Sequence, residues 1–537
     1  MTAEPLLAPA PPAARAARDA ATAPAARLGT TTYAPTTSYA SITPVVDVDL
    51  DADAGPRADV EEILRSRPGQ QYAGAALELY GTAPDPGAER RPVVGCVIPA
   101  YNEEGSIARV LEALLAQTRL PDVVHVIINN TTDDTFWVAR EFAGRHERRY
   151  RGETMTCDVH VHDVGRLADR KVGALNTGFR FVQDCDYFLG VDGDTILHRR
   201  TLERLLAEIR SDRRIGGISA VYSIDFDEGA GLDEKFLIAG QRQQFAGFNL
   251  LNLLRGRNMA VIGGQCSIFS VEALTTVRDT YRQGGPWVSD SEVEDSLLSL
   301  QLKSTGFSTK ISASARADVG PMLSLKSLDA QQVKWNYGAI DLMWPGQRGN
   351  TTGHPFHPNL RLRWLENWQM LFNLLVRVGF VLLLAASLSI GAFTFYWWWL
   401  LPPAVSILLN VRIALTMKDR TVKDLLFALL FVPGEIYMWI RIGHFVRAWT
   451  KFLSRQEVDN WGAQAAAESG RANNDYLRPV VYGVVLLALL VVGWLQLPLL
   501  AQEVVLWICW PALAMVAALQ SVEMLVRLLR RHRGFRV

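Results

Sequence analysis

The chain has 537 residues, room for two or three domains, and its 55 basic and 55 acidic side chains cancel to a formal net charge of +0, which removes net charge as an argument for a nucleic-acid partner. Hydrophobic residues make up 49% of the chain, and the acids are concentrated before residue 366 while Leu, Val, Trp and Phe dominate after it. Five cysteines, Cys96, Cys157, Cys185, Cys266 and Cys509, are an odd number without metal-ligand spacing, which argues for reduced thiols in a cytosolic domain and against a disulfide framework.

Residues 1–88 are rich in Ala, Pro and Thr, hold no continuous apolar run, and are predicted to be a disordered tail without a signal peptide, apart from a short helix in ALELY. From 93 to 320, short apolar runs alternate with helical patterns, which predicts an α/β domain with a mostly parallel sheet. VVGCVIP reads as a buried strand, followed by a helix from Ser106; VVHVIINN is the next strand, ended by the turn TTDD before another helix. TCDVHVHDV, the helix KVGALNTGFRFV and the strand DYFLGVD complete the series. Ligands of such sheets bind beyond the carboxyl ends of the strands. Tyr101, Asn102, Glu103 and Glu104, then Asn129 and Asn130, then Asp192 and Asp194 all fall there. The two aspartates of GVDGDT end an apolar run; buried, each would cost several kcal/mol unless paired or holding a cation. The alternative is a solvated turn bent at Gly193.

His160 and His162 alternate along a strand and share a face, but zinc needs more ligands than two, so they read as strand surface. His354 and His357 read as loop residues. Phe236–Leu254 has apolar residues at helical spacing, expected under the α/β domain at a bilayer surface, with core packing as the other reading.

After residue 366 the apolar runs lengthen. Met370–Leu388 and Phe395–Leu415 approach the ~20 residues a bilayer crossing needs and would form a hairpin; Pro479–Leu497 and Val504–Val526 would form a second. Indole clusters at Trp397–Trp399 and Trp507–Trp510 suit the interfacial belt. Leu425–Ile440, which contains Pro433, Gly434 and Glu435, has basic residues on both sides and is expected to be interfacial or re-entrant. Four spans, the favoured count, would leave the basic segment RLLRRHRGFRV in the cytoplasm, five would place it outside, and no further C-terminal domain is expected.

Taken in order, PAYNEE, RKVGALNTG, DGD, VEDSLLSLQLKSTGF and QQVKW resemble the motif series of the family 2, GT-A fold glycosyltransferases, and within them the membrane-embedded synthases of cellulose, chitin and hyaluronan. The resemblance implies a GT-A α/β domain over 89–365 and a helical transmembrane domain over 366–537, in a multi-pass protein of the plasma (inner) membrane with its catalytic domain in the cytoplasm. It implies an inverting transfer from a nucleotide sugar, UDP-linked, to a growing polysaccharide that exits between the helices. By the same resemblance, Ala100, Tyr101, Glu103, Asn129, Lys171, Asp192 and Lys334 would contact the donor. Asp192 and Asp194 would hold Mg²⁺ or Mn²⁺, a hard cation that bridges phosphates to carboxylates. Asp295 would be the general base, with Glu294 beside it, and Gln331 and Trp335 would meet the acceptor.

Two departures from the pattern stand out, the first bearing on donor identity and the second on processivity. Asn129 and Asn130 stand where the family has an acid against the nucleotide base, and Lys334 replaces an arginine, giving a point charge in place of a bidentate fork. Trp461–Gly462 faintly resembles a gating-loop pair. The abundance of Ala and Arg suggests a bacterial source. Two rival readings stay open: a single-sugar transfer to a membrane lipid, and a catalytically silent envelope scaffold.

Overall fold

A computed structural model describes residues 90–224, 231–289, 293–344, 358–454, 477–531 and 534–537. The predicted tail 1–88, the pair His354 and His357, and Trp461–Gly462 lie outside the described residues.

The strands are β1 (Val94–Ala100), β2 (Val123–Ile128), β3 (Gly144–Tyr150), β4 (Glu153–Asp163), β5 (Tyr187–Val191), β6 (Ile196–Leu197), β7 (Ile215–Ile224), β8 (Cys266–Ser270) and β9 (Ser308–Val319). They form one sheet in the order β3-β4-β2-β1-β5-β8-β7-β9-β6. β1, β2, β4, β5, β7 and β9 run one way, and β3, β8 and β6 run against them. Every residue of β1 and β2 is buried, as expected of parallel strands covered on both faces.

Helices α1 (Ile107–Leu115), α2 (Thr135–Arg140) and α4 (Thr201–Ile209) cover one face, and α3 (Arg170–Val182), α6 (Val271–Tyr281) and α7 (Glu294–Ser304) cover the other. The two-residue period of a strand divides β1 between these layers. Cys96 and Ile98 pack among α1 and α4 residues, whereas Val97 packs among those of α3. All five cysteines are free, in keeping with the reduced-thiol expectation.

The expected helix at 236–254 is α5 (Leu232–Leu254). It lies between the sheet and the C-terminal helices. Asn249 Nδ2 donates to Tyr222 O of β7 at 2.8 Å, while Arg242 pairs with Asp424 at 2.8 Å and Gln243 Nε2 donates to Asn410 O at 3.0 Å. A second connection runs through α8 (Leu325–Met343), whose Asp329 pairs with Arg447 and lies 3.7 Å from His444 Nε2.

Those partners sit on α9 (Arg361–Ser389), α10 (Leu401–Thr416), α11 (Val422–Leu429), α12 (Phe431–Leu453), α13 (Leu477–Gln496) and α14 (Leu499–Leu529). Among the described residues, three helical segments are long and apolar enough to cross a membrane: Pro358–Ser389, Trp397–Thr416 and Leu499–Leu529. These overlap three of the four expected spans. The fourth expected segment is the shorter apolar helix Val480–Gln496. Leu425–Ile440 falls across α11 and α12, which bend by 81° at Leu430, a broken span or a re-entrant pair. Leu430 is extended (φ −78°, ψ 118°), and Pro433 follows in the first turn of α12, where its missing N–H costs no intrahelical bond. The indole clusters meet: Trp399 stacks on Trp510 at 4.9 Å, and Trp510 Nε1 donates to Ser387 Oγ.

Candidate active site

Three strands deliver the polar residues to one edge. β1 ends at Ala100, buried, and passes into the exposed Tyr101. Asn102 and, after β2, Asn130 take left-handed backbone conformations (φ 55° and 57°), which asparagine tolerates better than most residues. The two loops are stitched together. Asn102 Oδ1 accepts from Thr132 N at 2.9 Å, Glu103 N donates to Thr135 Oγ1 at 2.7 Å, and Glu104 Oε2 accepts from Asp134 N at 3.1 Å. Asn129 is buried and donates through Nδ2 to Asn130 Oδ1, which also accepts from Leu167 N. Asn130 therefore shapes this loop, and Asn129 is the amide held at the strand end.

β5 ends in Asp192–Gly193–Asp194. A Cβ at Gly193 would come within 2.8 Å of Glu103 Cγ, so the absent side chain lets the first-strand loop close over the aspartates. Lys171, in the first turn of α3, reaches Asp192 Oδ1 at 2.7 Å and lies 4.0 Å from Glu294 Oε1. The loop before β8 approaches from the other side: a Cβ at Gly264 would fall 2.7 Å from Asp295 Oδ2 and 3.0 Å from Lys171 Nζ. Lys171 thus stands among Asp192, Glu294 and Asp295.

The electrostatics follow from that crowding. Burial works against the charge on Lys171, but Asp192, Glu294 and Asp295 outweigh it and hold its pKa above the usual lysine value. Burial pushes the Asp295 carboxyl well up, Glu294 and Asp192 push it further, and Lys171 and Lys334 oppose them. Asp194 is raised to about 6 by burial and by the charge of Asp192, against Lys171 and a hydrogen bond from Thr195.

The donor set fits a hard divalent cation. Asp192 and Asp194 could supply oxygen ligands, and a cation there would offset the burial and like charge that raise the Asp194 carboxyl. Among the described residues no group of three or more His, Cys, Asp or Glu is placed to hold a metal. Two carboxylates with substrate phosphates completing the shell is the arrangement magnesium-type ions favour.

Of the α8 candidates, Lys334 is buried and acts electrostatically on Asp295. Trp335 is half-buried, with its ring edge-on to Phe245 of α5 at 6.2 Å. Gln331 is half-buried and accepts from Gln332 Nε2 at 3.4 Å. Neither is brought onto the carboxylates.

Sequence reasoning missed the Gly263–Gly264–Gln265 loop. Its Gln265 O accepts from Asp192 N at 3.0 Å. Its Gly263 O accepts from the buried Tyr222 hydroxyl at 3.1 Å. The paired glycines just before an apolar strand were the available signal.

The geometry can be set beside known proteins. Residues 96–278 match the family model described as glycosyl transferase family 2, a match that ends before Asp295 and the α8 residues. No curated protein matches the chain. Among solved structures, a mannosyltransferase from Pyrobaculum calidifontis in complex with GDP-Man and Mn²⁺ is similar at 18% identity and a TM-score of 0.43, over 74% of this chain and 98% of that one. TarS 1-349 of S. aureus in complex with UDP is similar at 13% identity and a TM-score of 0.30, over 68% of this chain and 95% of that one. A glucosyl-3-phosphoglycerate synthase from Mycobacterium tuberculosis, in complex with Mn²⁺, UDP and glucosyl-3-phosphoglycerate, gives 19% identity and 0.29, over 51% and 88%. Residues 96–278 thus match glycosyl transferase family 2, within a GT-A type α/β sheet domain that apolar helices follow.

Proposed function

We propose that the chain is a membrane-integrated, inverting glycosyltransferase that moves a sugar from a UDP-linked donor onto a growing polysaccharide and passes the product between its C-terminal helices. The observation that carries this reading is the Lys171–Asp192 contact of 2.7 Å beside the buried Glu294 and the half-buried Asp295, at the strand edge that also bears Asp194. A hydroxyl of the acceptor attacks the anomeric carbon from the face opposite the leaving group. The bond from that carbon to the diphosphate breaks, and the nucleoside diphosphate departs with the electron pair. Asp295 takes the hydroxyl proton. A divalent ion held by Asp192 and Asp194 would neutralise charge on the departing diphosphate. Lys171 and Lys334 keep positive charge at the same edge, and Ala100, Tyr101, Glu103 and Asn129 line the donor side. Trp335 offers an apolar ring face, and Gln331 a hydrogen-bonding amide, to the acceptor.

Enzyme purified in lipid with Mn²⁺ or Mg²⁺ and a panel of nucleotide sugars should release nucleoside diphosphate with one donor and form a high-molecular-weight product. Asp295→Asn should lower the rate by about 10²–10⁴-fold, the usual contribution of a general base. A small lipid-soluble product would replace polymer synthesis with single transfer. Silence with every donor would overturn the enzymatic reading.

A further inference from the structure

A cavity of about 610 Å³ lies away from the carboxylates, lined by Leu253, Leu254 and Gly256 at the end of α5 and by Arg530, Arg531 and Phe535 from the C-terminal segment. The fold holds the described residues of that segment in place. Arg412 on α10 donates to the carbonyls of Arg527, Leu528 and Arg530, Val537 N donates to Thr416 O at 2.9 Å, and Arg316 donates to Arg536 O at 2.5 Å.

Positive charge here exceeds its local compensation. Arg255, between the two α5 lining residues and Gly256, has one guanidinium nitrogen that is buried without a hydrogen-bond partner. Burial weighs most against its charge, Arg527 and Arg530 repel it, and Glu366 and Glu523 attract it. The nearby acids are already engaged: Glu523 pairs with Arg527 and accepts from Gln369 Nε2 at 2.8 Å, and Glu366 pairs with Arg363 at 3.0 Å. An anion in the cavity would relieve that repulsion.

The surroundings select the kind of anion. Leu253, Leu254 and Phe535 give the cavity apolar walls. Arg530 and Arg531 follow directly on the last turn of α14, whose Val522, Val526 and Leu529 are exposed. An amphiphile with a charged head and an apolar tail matches both surfaces, and a freely soluble phosphate matches only one. We propose that this cavity binds the phosphate headgroup of an anionic membrane lipid, with Arg530 and Arg531 as its counter-ions and its acyl chains lying along the exposed apolar side of α14. The proposal rests on the reading of α14 as a membrane span.

The full chain, placed in nanodiscs of mixed phosphatidylcholine and phosphatidylglycerol and then extracted gently, should retain phosphatidylglycerol over phosphatidylcholine by about tenfold, read by mass spectrometry of bound lipid. Arg530→Gln with Arg531→Gln should abolish the preference, whereas Arg530→Lys with Arg531→Lys should keep it, which separates charge loss from misfolding. Leu254→Trp, which narrows the cavity and leaves every charge in place, should also abolish it. Equal retention of both lipids by the wild type would overturn the proposal, as would a preference that survives Leu254→Trp, since diffuse attraction to the basic segment would then suffice. Displacement of the lipid by millimolar inorganic phosphate would overturn it in favour of a soluble-phosphate site. Failure to enter nanodiscs at all would remove the membrane reading and the proposal together, whereas entry without lipid preference removes the proposal alone.

Discussion

At the scale of single residues, the general base proposed at Asp295 would have to be ionised to accept a proton, and its surroundings set the pH at which that happens. Burial and the neighbouring acids raise its pKa; the positive charge of Lys334 lowers it. Lys334→Met removes one of the lowering charges, so the pKa rises and less base is available at a given pH. The acid limb of the kcat/KM profile should move to higher pH, with part of the lost rate recovered in alkaline buffer. An unchanged profile would mean that Lys334 does not act on the base. Asp194, raised to about 6, gives a second dependence of defined sign. Below that pH it is protonated and a poor ligand. The Mn²⁺ concentration for half-maximal activity should therefore climb about tenfold per pH unit on the acid side, because ligand deprotonation and metal binding are linked. Asp192 and Asp194 were legible as candidates from their place at a strand end, whereas Lys171 and Asp295 became candidates through the motif resemblance. The approach of Gly264 to Lys171 and Asp295 was not legible, because it depends on how the loop before β8 is packed against α7, a tertiary fact with no period in the chain.

At the scale of elements, the strands β1, β2, β4 and β5 were read from the sequence, whereas β3, β7, β8 and β9 were not. β1, β2 and β5 are short hydrophobic runs bounded by turns. β3 reads GRHERRY, with three arginines, and hides its identity because an antiparallel edge strand needs only one neighbour, here β4 from Gly144↔Val159 to Tyr150↔Glu153. The role of α5 was only half legible, since its spacing showed apolar faces but not their partners. The Arg242–Asp424 pair on its far side is buried, with side chains 10% and 3% exposed, and Arg242 also donates to Ile224 O and Asp419 O. Asp424→Asn leaves that guanidinium without its counter-charge and should destabilise the solubilised protein by about 3 kcal/mol, seen as a lowered Tm. A Tm within error of the wild type would show that the pair does not hold the two parts together.

At the scale of the whole molecule, the sheet and the apolar helices share a mechanical element. α8 is a single rod of 19 residues. Near its start, Asp329 is held by Arg447 and His444 of α12; along its length, Val333 and Ile340 pack against Ala448 and Phe452; and between them Lys334 acts on the carboxylate of Asp295. α12 is itself one arm of the pair bent at Leu430. A change in the tilt of that arm would move Lys334 relative to the base without any displacement of the sheet. On the membrane reading, hydrocarbon thickness sets such tilts. Turnover should accordingly vary when the same protein is assayed in bilayers of short and long acyl chains, and Asp329→Asn, which loosens the hold on α12, should flatten that variation. The enzyme would then act as a gauge of the membrane in which it sits, slowing or quickening as the sheet of lipid thins or swells.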